Sequence, residues 1–163
     1  MAYNAKAIAN YFFDVAKEHR QSISPMKMQK LVYFAHGWYL AIKNEPLIDE
    51  QVEAWQFGPV IPSLYQEFKS YGKSEITAYA TEFTGLSLAT LSLETPRIPD
   101  TQDLKDFLNK IWEVYGGLTA IQLSNLTHQC DTPWRKTWGE NGVPKGTDIN
   151  SDEIRAYFRS QAN

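Results

Sequence analysis

Residues 24–43, SPMKMQKLVYFAHGWYLAIK, decide the fold. Ser24 offers a side-chain oxygen to the orphan N–H groups of a helix start, and Pro25 fits the first helical position. From there to about Ile42, the residues Met28, Leu31, Val32, Ala35, Trp38, Tyr39 and Ile42 cover more than one helix face. A helix apolar over that width is packed from several sides, so the chain is expected to gather around it. Gly37 inside it costs about 1 kcal/mol of helix propensity. That cost predicts a neighbouring element in close approach to a bare backbone.

Working outward, Ile8, Tyr11, Phe12, Val15 and Ala16 keep the 3–4 spacing of a buried stripe, and His19-Arg20-Gln21 ends that helix. On the other side, Asn44-Glu45-Pro46 signals a turn. Val52, Ala54 and Gln56 then alternate with Glu53, Trp55 and Phe57, which reads as a short strand stopped by Gly58-Pro59. Pro62 and Ser63 open a third helix, with Gln66 placed to complete a capping box. It carries Leu64, Tyr65, Phe68 and Tyr71 as far as Gly72. Residues 73–99 are rich in Thr and Ser, with Leu86, Leu88, Leu91 and Leu93 alternating in part. A β-hairpin or an irregular excursion fits them.

Asp100 or Thr101 caps the next helix, bearing Leu104, Phe107, Leu108, Ile111, Trp112 and Tyr115 and ending at Gly116-Gly117. Thr119 with Gln122 forms a second capping-box pattern, with Ile121, Leu123 and Leu126 expected to face inward. Asp131-Thr132-Pro133 breaks the chain, and Trp134 and Trp138 follow in a turn or short helix. A loop from Gly139 to Gly146 leads to Asn150 and Glu153, which open a last helix with Ile154, Tyr157 and Phe158. The expected fold is mainly α. It is one domain over residues 1–163, a compact bundle of about six helices. A small β-hairpin or short-strand insertion interrupts it, with a variable excursion at about 73–99.

Composition narrows the function. The 163 residues are 43% hydrophobic and 21% charged, as in a soluble globular protein. Net charge is −3, with 8 Lys+Arg against 8 Asp+Glu in residues 1–81 and 8 against 11 in the rest. Neither half is a basic footprint, which argues against direct DNA binding. No stretch of about 18 apolar residues offers a membrane span. The N-terminus lacks the layout of a signal peptide. The single Cys130 has no disulfide partner, so a reducing cytoplasm is the simplest location.

Enzyme signatures are absent: no Walker A loop, GxGxxG, HExxH, CxxC or GxSxG. No metal or cofactor is expected. His128 and Cys130 are two residues apart, which on a helix turns them away from each other. Cys130 reads as a small, at least half-buried thiol. His36 lies among Tyr33, Phe34, Trp38 and Tyr39 and reads as a satisfied core or boundary histidine; His19 reads as an exposed residue at a helix end. Asp49, Glu50 and Glu53 read as a solvated acidic loop. The aromatic residues say more: Trp55, Phe57, Tyr65 and Tyr71 surround the Gly58-Pro59 corner, and Trp134 and Trp138 precede the final loop. Such rings either wall the core or form an aromatic surface for another protein.

In order, these segments carry a resemblance. The run KLVYFAHGWYLAIKNEPLIDEQVEAWQFGPVIPSLYQEFKSYG, residues 30–72, resembles the core of the Panacea domain. This is the family of SocA-like antitoxins and phage-associated GepA-type proteins. The match rests on the Lys30 to Trp38 helix, on Glu53-Ala54-Trp55, and on Gly58-Pro59-Val60 followed by Pro62 and Tyr65. Leu123-Ser124, Leu126-Thr127-His128, Pro133-Trp134 and the closing Ile154 to Phe158 helix agree.

The resemblance implies an antitoxin without enzymatic activity that binds a cognate toxin protein encoded by a neighbouring gene. A homo-oligomer is left open. The residues expected to meet the partner are Trp55, Phe57, Gly58, Pro59, Tyr65, His128, Trp134 and Trp138. A second reading, also implied by the resemblance, is an adaptor that delivers the toxin to a cytoplasmic protease. A third is a small hydrolytic or transfer enzyme built on His128 or His36 with a carboxylate. That reading needs a concave polar pocket around the ring.

Overall fold

A computed structural model describes residues 2–162. Two caps set its frame. Asn4 accepts a hydrogen bond from the Lys6 amide and starts α1, Ala5–Glu18. Ser24 accepts from the Lys27 amide, Pro25 takes the first turn, and α2 runs over Pro25–Lys43. Asn44, at φ 61°, ends it in the left-handed conformation that Asn tolerates. Strands β1 (Glu53–Trp55) and β2 (Gly58–Val60) follow, then α3 (Pro62–Phe68) and a 3-10 turn at Lys69–Tyr71. Strands β3 (Glu82–Thr84) and β4 (Ser92–Glu94) precede α4 (Gln102–Tyr115), α5 (Ala120–Thr127), α6 (Pro133–Trp138) and α7 (Ser151–Gln161).

Helix α2 is the hub, in contact with α1, α3, α4, α5, α7 and β2. Of the residues predicted to pack, Met28, Leu31, Val32, Ala35 and Tyr39 are buried, together with Tyr33, Phe34 and Leu40, whereas Trp38 is half-buried and Ile42, in the last turn, is 62% exposed. Each large buried side chain contributes about 1.5–3 kcal/mol relative to exposure. Gly37 faces the α7 residue Phe158, whose ring lies against the bare backbone. The first turns of α2 also bury three polar side chains, each used as a clamp. Lys27 Nζ donates to the Gly116 carbonyl at 2.6 Å. Gln29 exchanges two hydrogen bonds with the backbone of Ile61, at 3.1 and 2.9 Å. Lys30 Nζ donates to the Pro59 carbonyl at 3.2 Å.

The two hairpins are separate antiparallel pairs. In the first, Glu53 pairs with Val60, Ala54 with Pro59 and Trp55 with Gly58. Gly58-Pro59 therefore does not stop the strand region; it begins the returning strand. Proline is tolerated because Ala54, its partner, directs its N–H away from β2 to the Thr147 carbonyl, so the Pro59 nitrogen lies on the outer edge of β2 and owes β1 no hydrogen bond. The second hairpin forms the predicted excursion. Its root is pinned to α1: Asn10, 1% exposed, bonds the Ala80 amide and the carbonyls of Ala80 and Pro96. Its tip is free, with Leu86 and Leu88 fully solvated.

Four further expectations change. Ser63 makes no capping box; its hydroxyl donates to Glu50, which is half-buried rather than solvated. Ile121 is 70% exposed, because the two-turn α5 buries only the face of Leu123 and Thr127. Cys130 is exposed. The capping box of Thr119 with Gln122 and the Asn150 cap form as predicted.

Candidate functional site

The site is built where β1–β2 docks on the start of α2. Lys30, 2% exposed, reaches under the hairpin turn and donates to the carbonyls of Phe57 (3.4 Å) and Pro59 (3.2 Å). Gly58 lies between them at φ +119°, a conformation that favours glycine. A β-carbon there would stand 2.7 Å from Lys30 Nζ and 3.1 Å from His128 Cε1. From the side, the Trp134 indole donates to the Trp55 carbonyl at 2.6 Å. With the turn backbone held from below and beside, the Phe57 side chain is left pointing outward, 72% exposed.

All eight predicted residues share this neighbourhood. Trp55 and Tyr65 have ring centroids 4.6 Å apart. His128 and Trp134 are 4.2 Å apart, and Trp134 stacks on Trp138 at 5.8 Å. Their exposures sort them into roles. Phe57 and Tyr65 are exposed; Trp55, His128 and Trp138 are half-buried; Gly58, Pro59 and Trp134 are buried. Trp134, at 3% exposure, supports the hairpin from within.

Beside the hairpin lies a groove of about 300 Å³. Its walls include Met26, Trp55, Phe57, Leu64 and Tyr65, with Lys30 and Lys69 among its lining. Burial pushes the Lys30 ammonium down to about 8. Sequence reasoning did not select Lys30 or Gln29 for the site. The signal is their place in a helix apolar on several sides, where a polar residue must be buried with a partner.

His128 presents Nδ1 to the Ser124 carbonyl at 2.6 Å, which fixes the proton on that nitrogen. His36 is 3% exposed, and its Nδ1 accepts from the Leu47 amide at 3.3 Å. His36 does not line the groove. Among the described residues, no group of three or more His, Cys, Asp or Glu could hold a metal ion. A second exposed apolar surface lies on the β3–β4 arm, with Phe83, Leu86, Leu88, Leu91 and Leu93.

A family model described as antitoxin SocA-like, Panacea domain, matches residues 28–135. That span includes the β1–β2 hairpin, α5 and Trp134. The chain is similar to Antitoxin SocA of Caulobacter vibrioides (strain NA1000 / CB15N), with 35% identity over 160 residues, 97% of this chain and 84% of that protein. No solved structure matches the chain significantly. Among the described residues, no helix is long and apolar enough to cross a membrane.

Proposed function

The chain belongs to the family of SocA-like antitoxins built on the Panacea domain, and on that premise we propose that it neutralises a protein toxin by binding it directly. The observation that carries this reading is the outward-facing Phe57, beside Tyr65 and Trp55, on a hairpin clamped by Lys30 and Trp134. A rigid support under exposed aromatic rings is what a protein-binding surface needs, because little ordering entropy is lost on docking. A standard interface buries about 1,600 Å² in total. The eight site residues form the centre of the proposed contact, with Phe57 and Tyr65 meeting the toxin and Trp134 holding their platform. Toxin and antitoxin meet in the cytoplasm, and the toxin gene neighbours this one.

The test is growth. The neighbouring gene is induced with and without this chain. Arrest by the neighbour and rescue by co-expression support the reading; a harmless neighbour, or arrest without rescue, defeats it. Co-purification of the two proteins then establishes direct binding.

A second reading, delivery of the toxin to a protease, is favoured by the separate apolar surface on the β3–β4 arm. An adaptor holds its cargo on one surface and meets the protease with another. It predicts a toxin half-life that shortens when this chain is present. An unchanged half-life leaves plain inhibition.

A further inference from the structure

We propose that the groove over Lys30 receives a segment of the toxin that presents an aromatic or aliphatic side chain next to a carboxylate, with the carboxylate brought to the Lys30 ammonium. This inference rests on the antitoxin reading and adds the surface and its chemistry.

Lys30 is buried beneath the hairpin turn. Its ammonium has three donors, is 2% exposed, and bonds two carbonyl oxygens. No carboxylate pairs with it among the described residues. A buried cation held only by neutral oxygens keeps much of its desolvation cost, and an arriving anion offsets that cost. No Asp or Glu lines the groove. Lys69 stands at its rim, and Lys145 Nζ lies 4.7 Å from the centre of the Trp55 ring. Glu53 and Glu50, outside the lining, accept from the Trp55 indole and the Ser63 hydroxyl. The groove's own lining thus carries two lysines and no acid, on a chain whose net charge is −3. Met26 (41% exposed), Phe57 and Tyr65 (39%) offer apolar surface to a side chain beside that charge.

The purified chain is titrated with 3-phenylpropionate and with its uncharged counterpart 3-phenylpropanamide, followed by NMR at the Trp55 indole N–H. The acid is expected to bind about tenfold more tightly, as one charge-assisted hydrogen bond gives. Lys30→Met should remove that preference. Phe57→Ala, at an exposed position, should weaken both ligands without touching the fold. Equal affinities for acid and amide, or shifts confined to other parts of the chain, overturn the proposal. With the neighbouring gene's product as ligand, Lys30→Met should lose about tenfold in affinity and Phe57→Ala more than about thirtyfold. Full affinity in both overturns the groove as the toxin's site, while growth rescue by the parent chain keeps the antitoxin reading. Failure of the parent chain to rescue overturns that reading and removes the toxin as occupant. The acid preference is read on the isolated chain in either case.

Discussion

The ring of Phe158 stands where a side chain at position 37 would have to be: a β-carbon on Gly37 would lie 2.1 Å from Phe158 Cε2. This contact locks α7 onto α2. Gly37→Ala gains about 1 kcal/mol of helix propensity but forces the ring away, and overpacking costs about 1–3 kcal/mol or more. At 2.1 Å the clash outweighs the propensity, so net destabilisation is expected. Phe158→Ala should cost about 3–5 kcal/mol. The double variant should lose less than the sum, since the ring that clashes is gone. Urea unfolding of all three checks this, and strict additivity would contradict the contact.

Asn10 holds the root of the β3–β4 arm through the Ala80 amide at 2.7 Å and the Ala80 and Pro96 carbonyls at 3.0 and 2.9 Å. Ala80 is fully buried. Asn10→Ala leaves its amide without a partner, a loss of about 1–3 kcal/mol. Hydrogen exchange at Ala80 should accelerate, whereas amides of α7 exchange faster only in step with global stability. Unchanged protection at Ala80 would count against the clamp.

His36 makes stability depend on pH. Burial lowers its imidazole to about 4 from 6.5. Between those values the unfolded chain binds a proton that the folded chain refuses. The stability is therefore complete above about pH 6.5 and falls as pH drops towards 4, by at most about 3 kcal/mol. Below 4 this residue adds no further slope. Denaturant midpoints measured from pH 7 to 4 should decline in the parent chain and decline less in His36→Gln. Parallel profiles would show that another group carries the effect.

Much of this fold was legible because its helices are punctuated locally. Ser24-Pro25, Thr119 with Gln122, and Asn150 each start a helix where their chemistry says they should. The close approach at Gly37 was legible for a similar reason: glycine in a helix asks for an explanation. Long-range competition was not legible. Ser63 had the spacing for a capping box, yet Glu50, distant in local pattern, took its hydroxyl. Pro59 looked like a strand stop, but its carbonyl serves Lys30 and its missing N–H costs nothing on a ribbon edge. The aromatic residues of the site could be named from sequence, but not ordered. Whether a ring supports or presents depends on which backbone carbonyl a neighbour holds, as Trp134 holds that of Trp55.

That ordering gives the sharpest prediction. Trp134 is 3% exposed and donates to the Trp55 carbonyl, so Trp134→Ala removes a large buried side chain together with that hydrogen bond. It should cost about 3–5 kcal/mol of stability. Phe57, 72% exposed, touches solvent over most of its ring, and Phe57→Ala should change stability by no more than about 0.5 kcal/mol. Toxin binding should respond the other way. Phe57→Ala should lose more than about 2 kcal/mol of affinity if its ring enters the interface centre. Trp134→Ala should lose affinity only in proportion to the unfolded fraction, recovering when temperature is lowered or a stabilising osmolyte is added. Thermal melts and calorimetric titrations on the same preparations separate the two effects. An affinity loss at Trp134 that persists in fully folded protein, with none at Phe57, would place the toxin on the Trp134–Trp138 side of the hairpin rather than in the groove.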